Sequence, residues 1–155
     1  LERLFTLGSV NFDSVIIIDF GNSLKSVLSS LVYTDVDDTK VLISTVNQWF
    51  DESILRENLV KNLYFPSVNM KQFKKYNRSY FKSFGIKPDE ITILAYDALG
   101  LIHYVWKKNK GINTINDFFI KKKIKGKIGT FQFKEKKVSQ LLKIYKTDNK
   151  KFKEY

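Results

Sequence analysis

The sequence predicts an α/β fold with a partly parallel sheet flanked by helices and a C-terminal β-hairpin. Three observations predict it. Short branched apolar runs alternate with a helical segment over the first third, helical periodicity takes over from Asn69 to Gly111, and period-two patterning closes the chain.

The elements follow in order. SVIIID (14–19) reads as a buried strand ending in a turn, and Asn22 or Ser23 is placed to cap a helix. Leu24, Val27, Leu28, Leu31 and Val32 give that helix one apolar side. KVLIST (40–45) is a second buried strand, QWFDESILRENL holds one or two helical turns, and KNLYFPS (61–67) is a third strand ended by Pro66. Asn69 is positioned to cap a helix carrying Met70, Phe73, Tyr80 and Phe84, with Gly85 to stop it in left-handed geometry. Pro88 and Asp89 open the next helix, which runs to Gly111. Thr114 with Asp117 has capping-box spacing for a short helix. KIGTFQF and LLKIYKTDNKKFKEY read as strands, the second folding over at Asp148-Asn149.

Composition bounds the chemistry. A chain of 155 residues, 43% hydrophobic, with 13 Phe, 8 Tyr and 2 Trp, is long and apolar enough to bury a core. The absence of cysteine excludes disulfides, thiolate nucleophiles and cysteine metal sites, and a single histidine leaves no imidazole cluster. The apolar run Val15–Ile18 is far short of the ~20 residues that span a bilayer. The net charge of +11 is concentrated: residues 107–155 carry 16 lysines and 4 acids, whereas residues 1–106 are nearly neutral. Lysine outnumbers arginine 24 to 3, and lysine lacks the planar fork that reads bases and phosphates. A solvated lysine face accounts for this segment, with contact to an anionic surface as the functional alternative.

Open α/β sheets bind ligands at the carboxyl ends of their strands, and that rule selects the candidates. Asp19, Phe20, Gly21, Asn22 and Ser23 join the first strand to a helix N-terminus, where backbone N–H groups favour an anion and Asp19 opposes one. Thr45, Val46, Asn47, Gln48 and Trp49 follow the second strand, with Trp49 either walling a pocket or joining the core. Ile91, Thr92 and Tyr96 mark the start of the long helix. On that helix Ala95, Leu99, Ile102 and Trp106 form one apolar stripe, with Leu94, Ala98, Leu101 and Val105 beside it. Asp97 is expected at the edge of this stripe, bonded to a neighbouring backbone or tyrosine. With no carboxylate at i+3 or i+4 and His103 ~240° away around the helix, Asp97 has no acid–base partner on its own helix.

The order FDSVIIIDFGNSLKSVLSSLVYTDVDDTKVLIST…W, then F…Y…Y…FG…P, then AYDALGLI, then IKGKIGTFQF…LLKIYKTDNKKF resembles the carboxyl-terminal half of type I periplasmic binding proteins. Phe12 to Trp49 is more similar still to the penicillin-binding protein activator branch of that fold. The resemblance implies a non-catalytic cell-envelope domain whose two lobes close on a cleft. Residues 1–68 and 124–155 would belong to the distal lobe and 69–123 would contribute to the amino-terminal lobe, in what is otherwise a single α/β unit. It implies a periplasmic or envelope location and a small-molecule solute, amino acids among the possibilities, delivered to a permease. It further implies that the chain lacks the protein's amino-terminal half and any membrane anchor there. It implies no cofactor or metal, and it gives Asp97 a structural role. Phe20 and Gly21 fall where the amino-acid receptors place an aromatic against the ligand. Val46 and Asn47 fall near the family's ammonium-binding acid, and no carboxylate stands there here. That departure favours another solute or a protein-docking role on a peptidoglycan synthase. A lysine-rich module binding a polyanion or nucleic acid is the alternative of a different class.

Overall fold

The computed structural model describes residues 10–56, 61–134 and 137–155. These form a mixed α/β architecture in two compact units, one of residues up to Ser67 together with Lys143–Tyr155, the other Val68–Leu142. The resemblance implies a second boundary at residue 124. Residues 124–142 instead cluster with the second unit, because their strands pair with one another and not with the larger sheet.

In the first unit the sheet order is β1 (Ser14–Ile17), β2 (Leu42–Thr45), β3 (Leu63–Ser67), β7 (Lys143–Asp148) and β8 (Lys151–Glu154). β1, β2 and β3 are parallel, and the β7–β8 hairpin joins β3 antiparallel with Phe65 opposite Tyr145. Helix α1 (Gly21–Tyr33) and the single turn α2 (Ser53–Arg56) pack on one face. Leu24 and Leu28 of α1 and Ile54 of α2 share a core with Ile17, Ile43 and Leu63 of the strands. The opposite face carries Ile16, Leu42 and Ile144, which are 72%, 51% and 46% exposed. A parallel sheet that is apolar on both faces is suited to a helical layer on each, and the described residues of the first unit supply one.

Pro66 lies inside β3 and does not end it. The β2–β3 ladder pairs residues only as far as Tyr64, so at Pro66 the strand has a single neighbour and behaves as an edge, where the missing N–H is tolerated. Asn149 and Lys150 both take positive φ and close the β7–β8 hairpin where the Asp148-Asn149 signal placed its turn.

The second unit holds α3 (Met70–Phe84), α4 (Glu90–Asn109), a 3-10 turn (Ile115–Phe118), and an antiparallel sheet of β4 (Ile124–Lys125), β5 (Thr130–Lys134) and β6 (Lys137–Leu141). Asn69 caps α3 by accepting from Gln72 N at 3.1 Å, and Gly85 ends it at φ 71°, as the spacing predicts. The expected side of α4 is corrected. Its buried residues are Ile93, Asp97 and Val105, while Leu94, Leu99, Ile102 and Trp106 are 41–66% exposed. Asp97 is therefore on the buried line and not at its edge. A helix apolar over most of its circumference leaves the choice of side to its partners, and here the partner is the loop before β5.

Candidate functional site

The carboxyl ends of β1 and β2 are tied together by buried polar side chains. Thr45 Oγ1 donates to Ile17 O at 2.7 Å. Gln48, 3% exposed, places Nε2 3.0 Å from Asp19 O, 3.1 Å from Val46 O and 3.2 Å from Thr45 Oγ1. Asn47 Oδ1 accepts from Ser67 Oγ at 2.8 Å and from Trp49 N at 3.0 Å, which brings the end of β3 into the same network. Carbonyls that a strand end would leave bare are thus satisfied within the unit. Thr45 and Asn47, both picked as ligand contacts from sequence, have polar atoms committed to this clamp. Gln48 is its centre, and its signal was only its place after a strand.

Directly after the clamp the chain makes an unusual turn. Trp49 and Phe50 sit at φ 49° and 60°, and Asp51 N donates to Gln48 O at 3.0 Å. Two consecutive positive φ values with an i to i+3 bond are the mirror-image turn that ordinarily takes Asn-Gly. Two bulky residues in that conformation cost roughly 1–3 kcal/mol each. Phe50 offsets part of this by packing edge-on against Phe65, Tyr145 and Phe152, with ring centroids 4.8–6.0 Å apart. Trp49 is left half-buried beside the strand ends.

The β1–α1 loop is braced by Asp19. Its carboxylate accepts from Ser23 Oγ at 2.5 Å and from Phe20 N at 2.8 Å, and these two donors hold its pKa below the usual carboxylate value. Phe20 is the N-cap of α1 and makes no side-chain cap bond, so the expected capping by Asn22 or Ser23 is replaced by this brace from one residue earlier. Gly21, at φ 54°, provides the left-handed step into the helix. Asn22 and Ser23 are exposed, and the Phe20 ring is 57% exposed. A hydroxyl hydrogen-bonded to a carboxylate can suggest a nucleophile and base. A carboxylate with a depressed pKa is a weak base, however, and the pair does the work of a cap. The geometry offers an exposed aromatic, two exposed polar side chains and a helix N-terminus above a rigid polar floor.

Ile91 and Tyr96 belong to the second unit. Ile91 is 75% exposed at the start of α4, and Tyr96 packs edge-on against Tyr76 of α3 at 5.4 Å while half its surface stays open. Burial first, then Tyr80, Tyr96 and Asp97, raise the Tyr76 pKa.

A cavity of about 720 Å³ lies at the opposite, amino-terminal end of the strands, lined by Val32, Val36, Asp38, Ile54, Lys61 and Thr147 among others. None of the sequence-picked residues borders it. Several of its polar groups already brace loops: Asp38 Oδ2 accepts from Lys61 N and Asn62 N, and Thr147 Oγ1 accepts from Leu63 N while donating to Lys61 O. The strand carboxyl ends, with their exposed aromatic and unspent polar groups, are the better candidate site. Among the described residues no group of three or more His, Cys, Asp or Glu is placed to hold a metal ion, and no helix is long and apolar enough to cross a membrane. No protein-family model and no curated protein sequence matches the chain.

Proposed function

We propose that this chain is part of a non-catalytic, receptor-like binding protein of the type I periplasmic binding fold, with the β1–α1 loop and the Asn47–Trp49 turn forming one wall of its ligand site. The observation that carries the reading is the Thr45–Gln48–Asn47 clamp. It rigidifies the strand ends and leaves Phe20 and Asn22 presented above them, which is the arrangement of a pre-formed binding wall. The parallel β1–β2–β3 order supports it, as does the exposed apolar sheet face, which suits a longer α/β protein packed against it. A ligand that touches both lobes of such a protein drives closure by its preference for the closed state. The cell envelope is the location this fold implies. The ligand class that fits is a small solute with an apolar portion against Phe20 and a polar group within reach of Asn22, since the Asp19 carboxylate already holds the α1 N-terminus. Docking onto an envelope enzyme is the second reading, favoured by the missing carboxylate near Asn47 that an amino-acid ammonium would need.

Thermal melting of the intact protein against a panel of amino acids and small organic anions tests this. A ligand at one hundred times its dissociation constant adds about 2.7 kcal/mol. Phe20→Ala and Asn22→Ala are expected to abolish that shift while leaving ligand-free melting unchanged, because both side chains are exposed. No shift with any compound in a folded protein rejects the solute reading in favour of docking.

A further inference from the structure

The stretch from Lys107 to Lys127 combines two features that the proposed binding wall does not use. The first is charge. Lys107, Lys108 and Lys110 at the end of α4, residues 121–123, Lys125 and Lys127 are all exposed. From Ala98 to Lys134 the sole acid is Asp117. That carboxylate is occupied by the backbone N–H groups of Asn113 and Thr114, at 2.8 and 3.1 Å. Among the described residues none of these lysines forms an ion pair. Lys107 and Lys108 suit the negative end of the α4 dipole. The five lysines of 121–127 have no such local use.

The second feature is apolar. Between the two lysine groups the loop exposes Ile112 and Ile115, the latter 75% open to solvent on the 3-10 turn. The turn's position is fixed by Gly111 N donating to Trp106 O at 3.0 Å and by the Asp117 bonds. The lysine segment is fixed at its far end by Asp97, which receives Lys127 N and Ile128 N. Exposed isoleucines held between lysine groups therefore sit on a braced frame.

We infer that this segment is a docking surface for an anionic lipid bilayer, with the lysines drawn to headgroups and Ile112 and Ile115 entering the interface. Charge complementarity selects an anionic partner, and the side chains between the charges select lipid over nucleic acid. Binders of single strands interleave basic residues with aromatic platforms, and readers of duplexes use arginine forks. Between the two lysine groups the exposed apolar side chains are Ile112 and Ile115, while Phe118 and Phe119 are half-buried and no arginine is present. Juxtamembrane lysine clusters recognise acidic headgroups in this way.

Co-sedimentation of the full protein with phosphatidylcholine vesicles, with and without added phosphatidylglycerol, is the test. Binding is expected only to the anionic vesicles, weakening as salt shortens the screening length from ~10 Å at 0.1 M to ~3 Å at 1 M. Replacing Lys121, Lys122 and Lys123 with Glu is expected to weaken it by at least about fivefold per lysine. Ile115→Asp is expected to weaken it with unchanged melting, since the side chain touches little. Equal binding to neutral vesicles, or none to anionic ones, overturns the inference. So does a salt-sensitive affinity for polyuridylate that Ile115→Asp leaves intact, which would assign the segment to nucleic acid.

Discussion

Asp97 Oδ1, in the middle of α4, accepts a hydrogen bond from Lys127 N at 2.5 Å, across thirty residues of sequence. Its second oxygen takes Ile128 N at 3.3 Å, so one buried carboxylate closes the loop that leads into β5. Gly126 makes this approach possible: a Cβ there would lie 2.6 Å from Asp97 Oδ2 and 2.7 Å from the Phe131 ring. The Tyr-Asp-Ala and Gly-Lys-Ile-Gly motifs, far apart in the chain, are thus two sides of one contact.

Asp97→Ala leaves two backbone N–H groups without their partner and is expected to cost on the order of 2–4 kcal/mol in urea denaturation. Asp97→Asn keeps an acceptor oxygen and should recover about half of that. Gly126→Ala should also destabilise, and the double variant should cost less than the sum, because Asp97→Ala removes two of the three atoms the new methyl meets most closely. Strict additivity would mean that the two positions do not share this contact.

How much of this was legible depends on where each decision is made. Asn69 and Gly85 bound α3 as read, because capping is settled by a few neighbouring residues. The Asp148-Asn149 hairpin was legible for the same local reason, and the partly parallel sheet from the alternation of strands with helices. The buried side of α4 was not. Its apolar residues surround most of the helix, so periodicity gives no direction, and the choice is made by a bond to Lys127 that no window of sequence contains. Within the candidate site the strand-end rule selects the loop Asp19–Ser23 and the stretch Thr45–Trp49, but nothing in the sequence marks Gln48 as the centre of the clamp. The turn at Trp49 and Phe50 was hidden because its residues are the ones a mirror-image turn disfavours.

Leu28 and Leu99 look equivalent in sequence and differ in the structure: Leu28 is 0% exposed and Leu99 is 66% exposed. Leu28→Ala is expected to cost ~2–5 kcal/mol through the cavity it leaves beneath α1. Leu99→Ala in this chain alone should stay within about 0.5 kcal/mol. The same Leu99 substitution in a longer protein carrying a covering layer should cost several times more. Equal small effects in both contexts would count against a partner for that side of α4.

Stability should also fall in acid, by a route that three hydrogen-bonded carboxylates define. Donors from Ser23 and Phe20 lower the pKa of Asp19, the Thr39 hydroxyl and N–H lower that of Asp37, and the N–H groups of Asn113 and Thr114 lower that of Asp117. In each case the folded value lies below the ordinary 3.8. The unfolded chain then binds protons first as pH falls, so the stabilisation is complete above the unfolded value of ~3.9 and is lost as pH drops through the folded ones. Melting temperature measured from neutral pH down to about pH 2 should be insensitive to these three groups above pH ~5 and decline below ~4. Asp117→Asn should flatten part of that decline, because the loop then no longer depends on an ionised carboxylate. An unchanged acid limb in the variant would remove Asp117 from the groups responsible.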